Sequence, residues 1–368
     1  MTNKEKLSCL MAKDNFEEWS QLLESDKVRK FISYLNVDEI DALDIRFIRE
    51  CIKDGVLLSN IKLMLPLHPS SRKVIKKAFM QYKSGETVIA LINSGLEDYK
   101  IEKICEIIEG KDITQELITL LKKDFVDYQV WHICYGVNVG LTMQQIKVYA
   151  KENYGKLLML TLRELLQQGY PINKVKLIAN PKLTLDPFLE LVELIKKGMS
   201  YSKLKVCVKA AYNFDVLEAI IKCFESGMKI KDVEEITHLS PEQIDAIRIG
   251  FNRRYPASYK EYCVKFDLDI YQFDALQSAY MYRIDESKIS KIVNPAYNAR
   301  VMNMLIKCGI KGISEEQFEL LIGMIEKEEK FIEVAIAVIN GESEEEIKKL
   351  LECKLTNHEQ NLCKLLET

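Results

Sequence analysis

Apolar residues along this chain recur with a helical period and, above it, with a longer one. Gly140, Gly169, Gly198 and Gly227 follow one another at intervals of 29 residues, and Gly312 and Gly341 resume the interval. Counted from each glycine, positions −7, −4 and −3 make the core face of a helix ending there, and positions +1 and +6 supply the next apolar contacts. At Gly198 these are Leu191, Leu194, Ile195, Met199 and Leu204; at Gly227 they are Ile220, Cys223, Phe224, Met228 and Val233. Gly55 and Gly95 share the frame without the strict interval. Over eight glycine-marked units 37 of 40 such positions are apolar, the exceptions being Gly136, Gly309 and Glu342. Since only 48% of the chain is apolar, composition does not account for the pattern.

A helix commonly ends at a left-handed residue, which glycine adopts without a side-chain clash, and the apolar residue that follows folds back onto the last turn. A second, shorter helix then begins about three residues on and carries the +6 residue inward. Its end is written at Ala179-Asn180-Pro181 and Val293-Asn294-Pro295, where proline prevents continuation. Tyr154, Tyr212 and Tyr297, all at +14, are expected to fill the gaps between units. Ser240-Pro241-Glu242-Gln243, Ser314-Glu315-Glu316-Gln317, Ser343-Glu344-Glu345-Glu346 and Thr356-Asn357-His358-Glu359 read as capping boxes, and Asp186-Pro187 as a cap followed by the first helical residue. No alternating strand pattern of useful length occurs. The expected fold is all-α: a right-handed α-solenoid of short two-helix repeats with N- and C-terminal capping helices, forming one continuous body.

The breaks in the frame set the expected boundaries. Residues 1–44 form an N-terminal helical cap anchored by Trp19, residues 45–350 the repeats, and residues 351–368 a C-terminal capping helix. Irregular units fall near 111–140, where Asp124 holds a frame position but Gly140 follows 16 residues later, and near 248–266, where Arg254 replaces the glycine. Arg283 occupies the next frame position.

Charge and cysteine usage narrow the function classes. A net charge of −3 argues against bulk affinity for nucleic acid or anionic membrane, although 25 Lys and Arg face 19 Asp and Glu over 145–310, and 7 face 14 over 311–368. The longest apolar runs are too short to span a bilayer, and the N-terminus lacks a hydrophobic export region, so a cytoplasmic protein without a membrane partner is expected. Cys51, Cys223 and Cys308 at −4, with Cys105, Cys134, Cys207 and Cys263 in helical apolar patterns, read as small buried hydrophobes of a reducing compartment.

Two candidate surfaces stand out. Lys147, Lys176 and Lys205 sit at +7 in three consecutive units and Lys174 and Lys203 at +5 in two. Stacking brings equal offsets together, so these lysines form a ladder on the second helices, suited to an acidic protein or a nucleic acid, before Asp232 and Glu234 reverse its sign. An ordinary solvated helix face carries the same lysines. The irregular unit offers Arg253, Arg254, Tyr255 and Tyr259, residue types that dominate interface hot spots, although Tyr259 and Tyr262 also suit the core of a slipped unit. Catalytic patterns are poor. His132 and Cys134 lie two apart on a helix, His68 lies in a loop without an obvious carboxylate, and Asp267 and Asp269 lack a third metal ligand. Neither cofactor nor metal is expected.

The units resemble α-solenoid repeats of two short helices, shorter than the 34-residue tetratricopeptide unit and without its Trp-x2-Leu-Gly signature. The stretch from Gly140-Leu141 through Ile146-Lys147-Val148-Tyr149-Ala150-Lys151 is similar to tandem helical repeats of uncharacterised bacterial and mobile-element proteins, loosely over residues 88–350. The resemblance implies a fold and carries no activity. The expected function is a non-catalytic scaffold, adaptor or inhibitor that binds another protein through its repeat surface. Nucleic-acid binding along the lysine ladder is the alternative, and the oligomeric state is left open.

Overall fold

A computed structural model describes residues 2–81, 85–108 and 113–352. The chain divides into two compact units, residues 1–182 and 183–368. The first holds α1 (Asn3–Leu22), α2 (Asp26–Ser33), α3 (Ala42–Lys53), α4 (Leu58–Met64), α5 (Pro69–Gln81), α6 (Gly85–Ile92), α7 (Asp98–Ile107), α8 (Gln115–Leu121), α9 (Asp127–Asn138), α10 (Met143–Tyr149), α11 (Lys156–Gln167) and α12 (Ile172–Ile178). The second holds α13 (Leu185–Lys196), α14 (Tyr201–Ala210), α15 (Phe214–Glu225), α16 (Ile230–Glu234), α17 (Pro241–Arg253), α18 (Ala257–Lys265), α19 (Ile270–Met281), α20 (Glu286–Ile292), α21 (Ala299–Ile310), α22 (Glu315–Ile322), α23 (Glu328–Asn340) and α24 (Glu344–Glu352). No strand occurs among the described residues.

Within each unit the odd-numbered helices form one row and the even-numbered helices another. In the first unit α5, α7, α9 and α11 pack in succession, with α10 against α12 behind them. In the second, α13, α15, α17, α19, α21 and α23 do the same, and α14 meets α16 as α20 meets α22. Hairpins packed in sequence order are compatible with a helical-repeat solenoid. The frame residues define the caps. All eight frame glycines have positive φ, and the only other described residues that do are Arg254 (φ 59°) and Arg283 (φ 56°), the two positions where the frame lacks its glycine. The apolar offsets are the core: Leu162, Leu165 and Leu166 of α11 and Ile220 and Cys223 of α15 are all at most 2% exposed. Each fully buried Leu or Ile contributes about 1.5–3 kcal/mol.

A polar clamp spaces successive hairpins. In α7, α9, α17 and α19 the third residue turns its side chain inward and bonds carbonyls at or beyond the end of the following even-numbered helix. Gln129 Oε1 accepts from the Val126 N–H while its Nε2 donates to Glu152 O (3.0 Å) and Tyr154 O (3.0 Å). Gln243 and Gln272 do the same, to Cys263 O (3.0 Å) and Tyr297 O (2.6 Å). In α7 the position is Lys100, donating to Lys123 O (2.9 Å). In α3 it is Asp44, which holds Arg72 against Leu65 O and Leu67 O. Buried polar groups are expensive unless partnered, and here the partners are backbone carbonyls at or just beyond a helix end.

Several expectations are corrected. Gly95 closes α6 and precedes α7, so it marks the junction from an even to an odd helix, whereas Gly55 and Gly140 mark the reverse. Three helices lie between Gly55 and Gly95 and three between Gly95 and Gly140, and each odd number switches the junction. Asp124, 29 residues after Gly95, is therefore not a left-handed cap. Tyr154 does fill its gap, donating to Ala179 O (2.6 Å), but Tyr212 is 67% exposed and Tyr297 half-buried. The Asp186-Pro187 helix starts earlier, with Thr184 as its N-cap. Trp19 is buried and donates to Asp14, which also holds Arg49 of α3 (2.7 Å). The segment 351–368 lies outside the described residues beyond the end of α24, as do the Thr356–Glu359 box and positions 111–112.

Candidate functional site

The +5 and +7 positions of the even-numbered helices flank a buried +6 residue, which turns the lysines outward. Ile146, Val175 and Leu204 are fully buried, while Lys147, Lys176 and Lys205 are exposed and Lys174 and Lys203 half-buried. Lys147 and Lys176 stand on the neighbouring helices α10 and α12 of the first unit; Lys203 and Lys205 belong to α14 of the second. Lys147 is ion-paired with Glu116 of α8. This is one instance of a lacing between neighbouring even-numbered helices: Lys209 meets Glu234, Lys260 meets Glu235 (3.1 Å), and Lys291 meets Glu315 and Glu319. The hydrogen bond from Lys209, aided by the charge of Lys205, holds the Glu234 carboxyl below its ordinary range. Lys174, Lys176, Lys203 and Lys205 have no carboxylate within ion-pair distance among the described residues. Lys203 Nζ instead lies 5.2 Å from the centre of the Phe224 ring.

In the irregular unit the four candidate residues separate. Arg254 is the left-handed cap of α17, with its side chain exposed. Arg253 is exposed and reaches the Tyr255 hydroxyl (3.4 Å). Tyr255 is half-buried, stacks on Tyr280 at 5.5 Å and donates to Gln277 O (3.2 Å). Tyr259 is 1% exposed, donates to Ala246 O (3.2 Å) and lies against Gly250, where an added Cβ would come within 2.4 Å of its ring. Its place among the partner-contacting residues is therefore corrected: it packs the core, and only Arg253, Arg254 and the edge of Tyr255 face solvent.

The most unusual electrostatics lie between α9 and α11, at residues the sequence marked only through His132. Arg163 is 5% exposed and forms no ion pair among the described residues. Its guanidinium lies over the rings of Tyr135 (4.3 Å) and Trp131 (5.3 Å), and Nη1 donates to His132 Nδ1 (2.9 Å), leaving the buried Nε–H without a partner. Because arginine only donates, His132 Nδ1 must accept and its ring must be neutral. Burial, followed by the charges of Arg163 and Lys156, lowers the His132 pKa to about 4. Its neighbour Tyr149 donates to His132 O (3.2 Å).

Burial pushes the Cys134 thiol up to about 12, so it supplies no thiolate at neutral pH. The seven thiols the sequence placed in the core are all buried and unpaired. His68 does approach a serine and an acid: its Nδ1 is 2.9 Å from Ser70 Oγ, which donates to Asp98 Oδ2 (2.8 Å). The order is reversed from that of a nucleophilic triad, because the carboxylate holds the hydroxyl instead of orienting the imidazole. Asp269 spends its carboxylate on the cap of α19, and among the described residues no three His, Cys, Asp or Glu side chains gather as a metal site. The sequence reading missed the clamp residues Gln129 and Gln272 and the Arg163 cluster. The spacing of a cap and a glutamine three residues later is a signal for the former; a lone arginine in an apolar helix face is the only signal for the latter. Compared with known proteins, the chain matches no family model and no curated protein.

Proposed function

We propose that this chain is a non-catalytic scaffold, adaptor or inhibitor that engages another protein through its repeat surface. The observation that supports the reading most directly is the selective lacing of the even-numbered helices. Neighbouring helices neutralise Lys147, Lys209, Lys260 and Lys291, whereas Lys174, Lys176, Lys203 and Lys205 form no ion pair among the described residues. Unpaired cations on an even-numbered helix of each unit, Lys174 and Lys176 on α12 and Lys203 and Lys205 on α14, suit an acidic protein surface. The buried, unpaired thiols suit the reducing, cytoplasmic setting that goes with this reading, and kinship with bacterial and mobile-element helical repeats belongs to the same proposal.

Nucleic acid is the second reading, favoured by the same four lysines and weakened by the loss of Lys147 to Glu116. A photo-crosslinker placed at the exposed Asn173 of α12 or Ser202 of α14 in the full chain, exposed to native lysate, separates the two. Protein adducts that vanish in K174E/K176E/K203E/K205E are the expected result. Nucleic-acid adducts with the same dependence favour the second reading, and adducts indifferent to the substitutions overturn both.

A further inference from the structure

The odd-numbered helices of the second unit present a surface of opposite character. Frame offsets bring carboxylates into register there. Asp186, Asp215 and Glu242 sit at −12 in α13, α15 and α17, and Glu218, Asp245 and Asp274 sit at −9 in α15, α17 and α19. Helices α15, α17 and α19 pack in succession and enclose an open groove of about 400 Å³. Ala246, Ile249 and Phe273 give it an apolar floor, and Asp215, Glu218, Glu242, Asp245 and Asp274 face Lys222 as its one lining cation. Asp245 is held by Arg248 (2.7 Å); Asp215, Glu218, Glu242 and Asp274 form no ion pair among the described residues.

A second row runs beside the carboxylates. Leu185, Phe214 and Ile270 share offset −13 in α13, α15 and α19, and they are 51%, 36% and 58% exposed. The first residue of a helix has no turn before it to cover its side chain, so these apolar groups stand in water. Pro241 holds the same offset in α17 and lines the groove with Ile270. Apolar and acidic rows in parallel, over an apolar floor, define the complement of an amphipathic segment whose polar face is lysine and arginine.

We propose that this groove docks a basic amphipathic segment of a partner protein. The inference rests on the scaffold reading but uses none of the unpaired lysines, which do not line the groove. Nucleic acid does not fit it, because unpaired carboxylates repel a polyanion at close range. Exposed carboxylates steer the segment and fix its register, while the apolar rows supply the area it covers.

The test uses the full chain, fluorescence anisotropy, and two labelled peptides of identical leucine pattern, one with lysine and one with glutamate at the polar positions. E218Q/D245N/D274N removes the −9 row, and E315Q/E316Q/E319Q removes equal charge elsewhere on the same unit; circular dichroism checks that both fold. The lysine peptide is expected to bind the unsubstituted chain and the control alike, and roughly tenfold more weakly to E218Q/D245N/D274N. Equal weakening in both variants, or no binding to the unsubstituted chain, overturns the proposal. The glutamate peptide reads the lysine face and is lost only in K174E/K176E/K203E/K205E, so the two proposals fail separately.

Discussion

The hairpins closed at Gly140 and at Arg254 solve one packing problem with different parts. In both, a tyrosine from the short helix enters the core over a glycine four residues before the cap, and its hydroxyl bonds the carbonyl four residues earlier still. The first uses Gly136, Tyr149 and His132 O; the second uses Gly250, Tyr259 and Ala246 O. The contact differs in detail. A Cβ at Gly136 would strike the Tyr149 hydroxyl at 1.9 Å, with ring carbon Cζ no nearer than 3.2 Å, whereas a Cβ at Gly250 would strike ring carbons of Tyr259 at 2.4 Å. The caps differ as well, a glycine in one and a left-handed arginine in the other. The cap residue is thus exchangeable, while the glycine beneath the tyrosine is fixed by volume.

The largest effects follow from that volume. Gly136→Ala and Gly250→Ala are each expected to cost about 3 kcal/mol in urea denaturation, since neither ring can retreat without losing its core contacts. Adding Tyr149→Phe deletes the atom that Gly136→Ala meets and should restore most of the loss. Adding Tyr259→Phe should restore little at Gly250, because the ring itself is the obstacle. Equal rescue at both sites would remove the distinction.

A smaller effect belongs to the first hairpin alone. The unfolded His132 imidazole takes a proton near its ordinary 6.5, but the folded ring refuses it until about 4. Acid therefore stabilises the unfolded chain, and stability falls as pH drops through that window, by on the order of 2 kcal/mol. His132→Gln retains an acceptor for Arg163 and should flatten this slope relative to the unsubstituted chain; an unchanged slope would place the proton elsewhere. Smallest is the exchange of caps. Arg254→Gly should stabilise, and Gly140→Arg destabilise, by about 1 kcal/mol each, the cost of a left-handed side chain.

Caps and core were legible in the sequence because both are local. Ten positive-φ residues coincide with frame positions, including the arginines at 254 and 283. What was not legible is how one local signal is used in three dimensions. Gly95 carries the same apolar signature as Gly140 at the opposite junction, since a helix cap does not record which row its helix joins. Tyr212 shares its offset with Tyr154 yet is 67% exposed. Lysines at equal offsets were read as a ladder, but Glu116 on α8 removes one of them, a partner 31 residues away that the frame does not encode. The acidic rows were equally periodic, but only the packing of α15, α17 and α19 shows them around a groove.

The seven buried thiols lie in seven different hairpins, on α3, α7, α9, α14, α15, α18 and α21. Burial pushes their pKa values up to about 11 or 12. Each can react with an electrophile only when its own hairpin opens, so the molecule carries a built-in set of reporters spaced along its length. Native-state alkylation, read peptide by peptide, would rank the hairpins by opening free energy, and a bound partner would silence the reporters beneath its footprint.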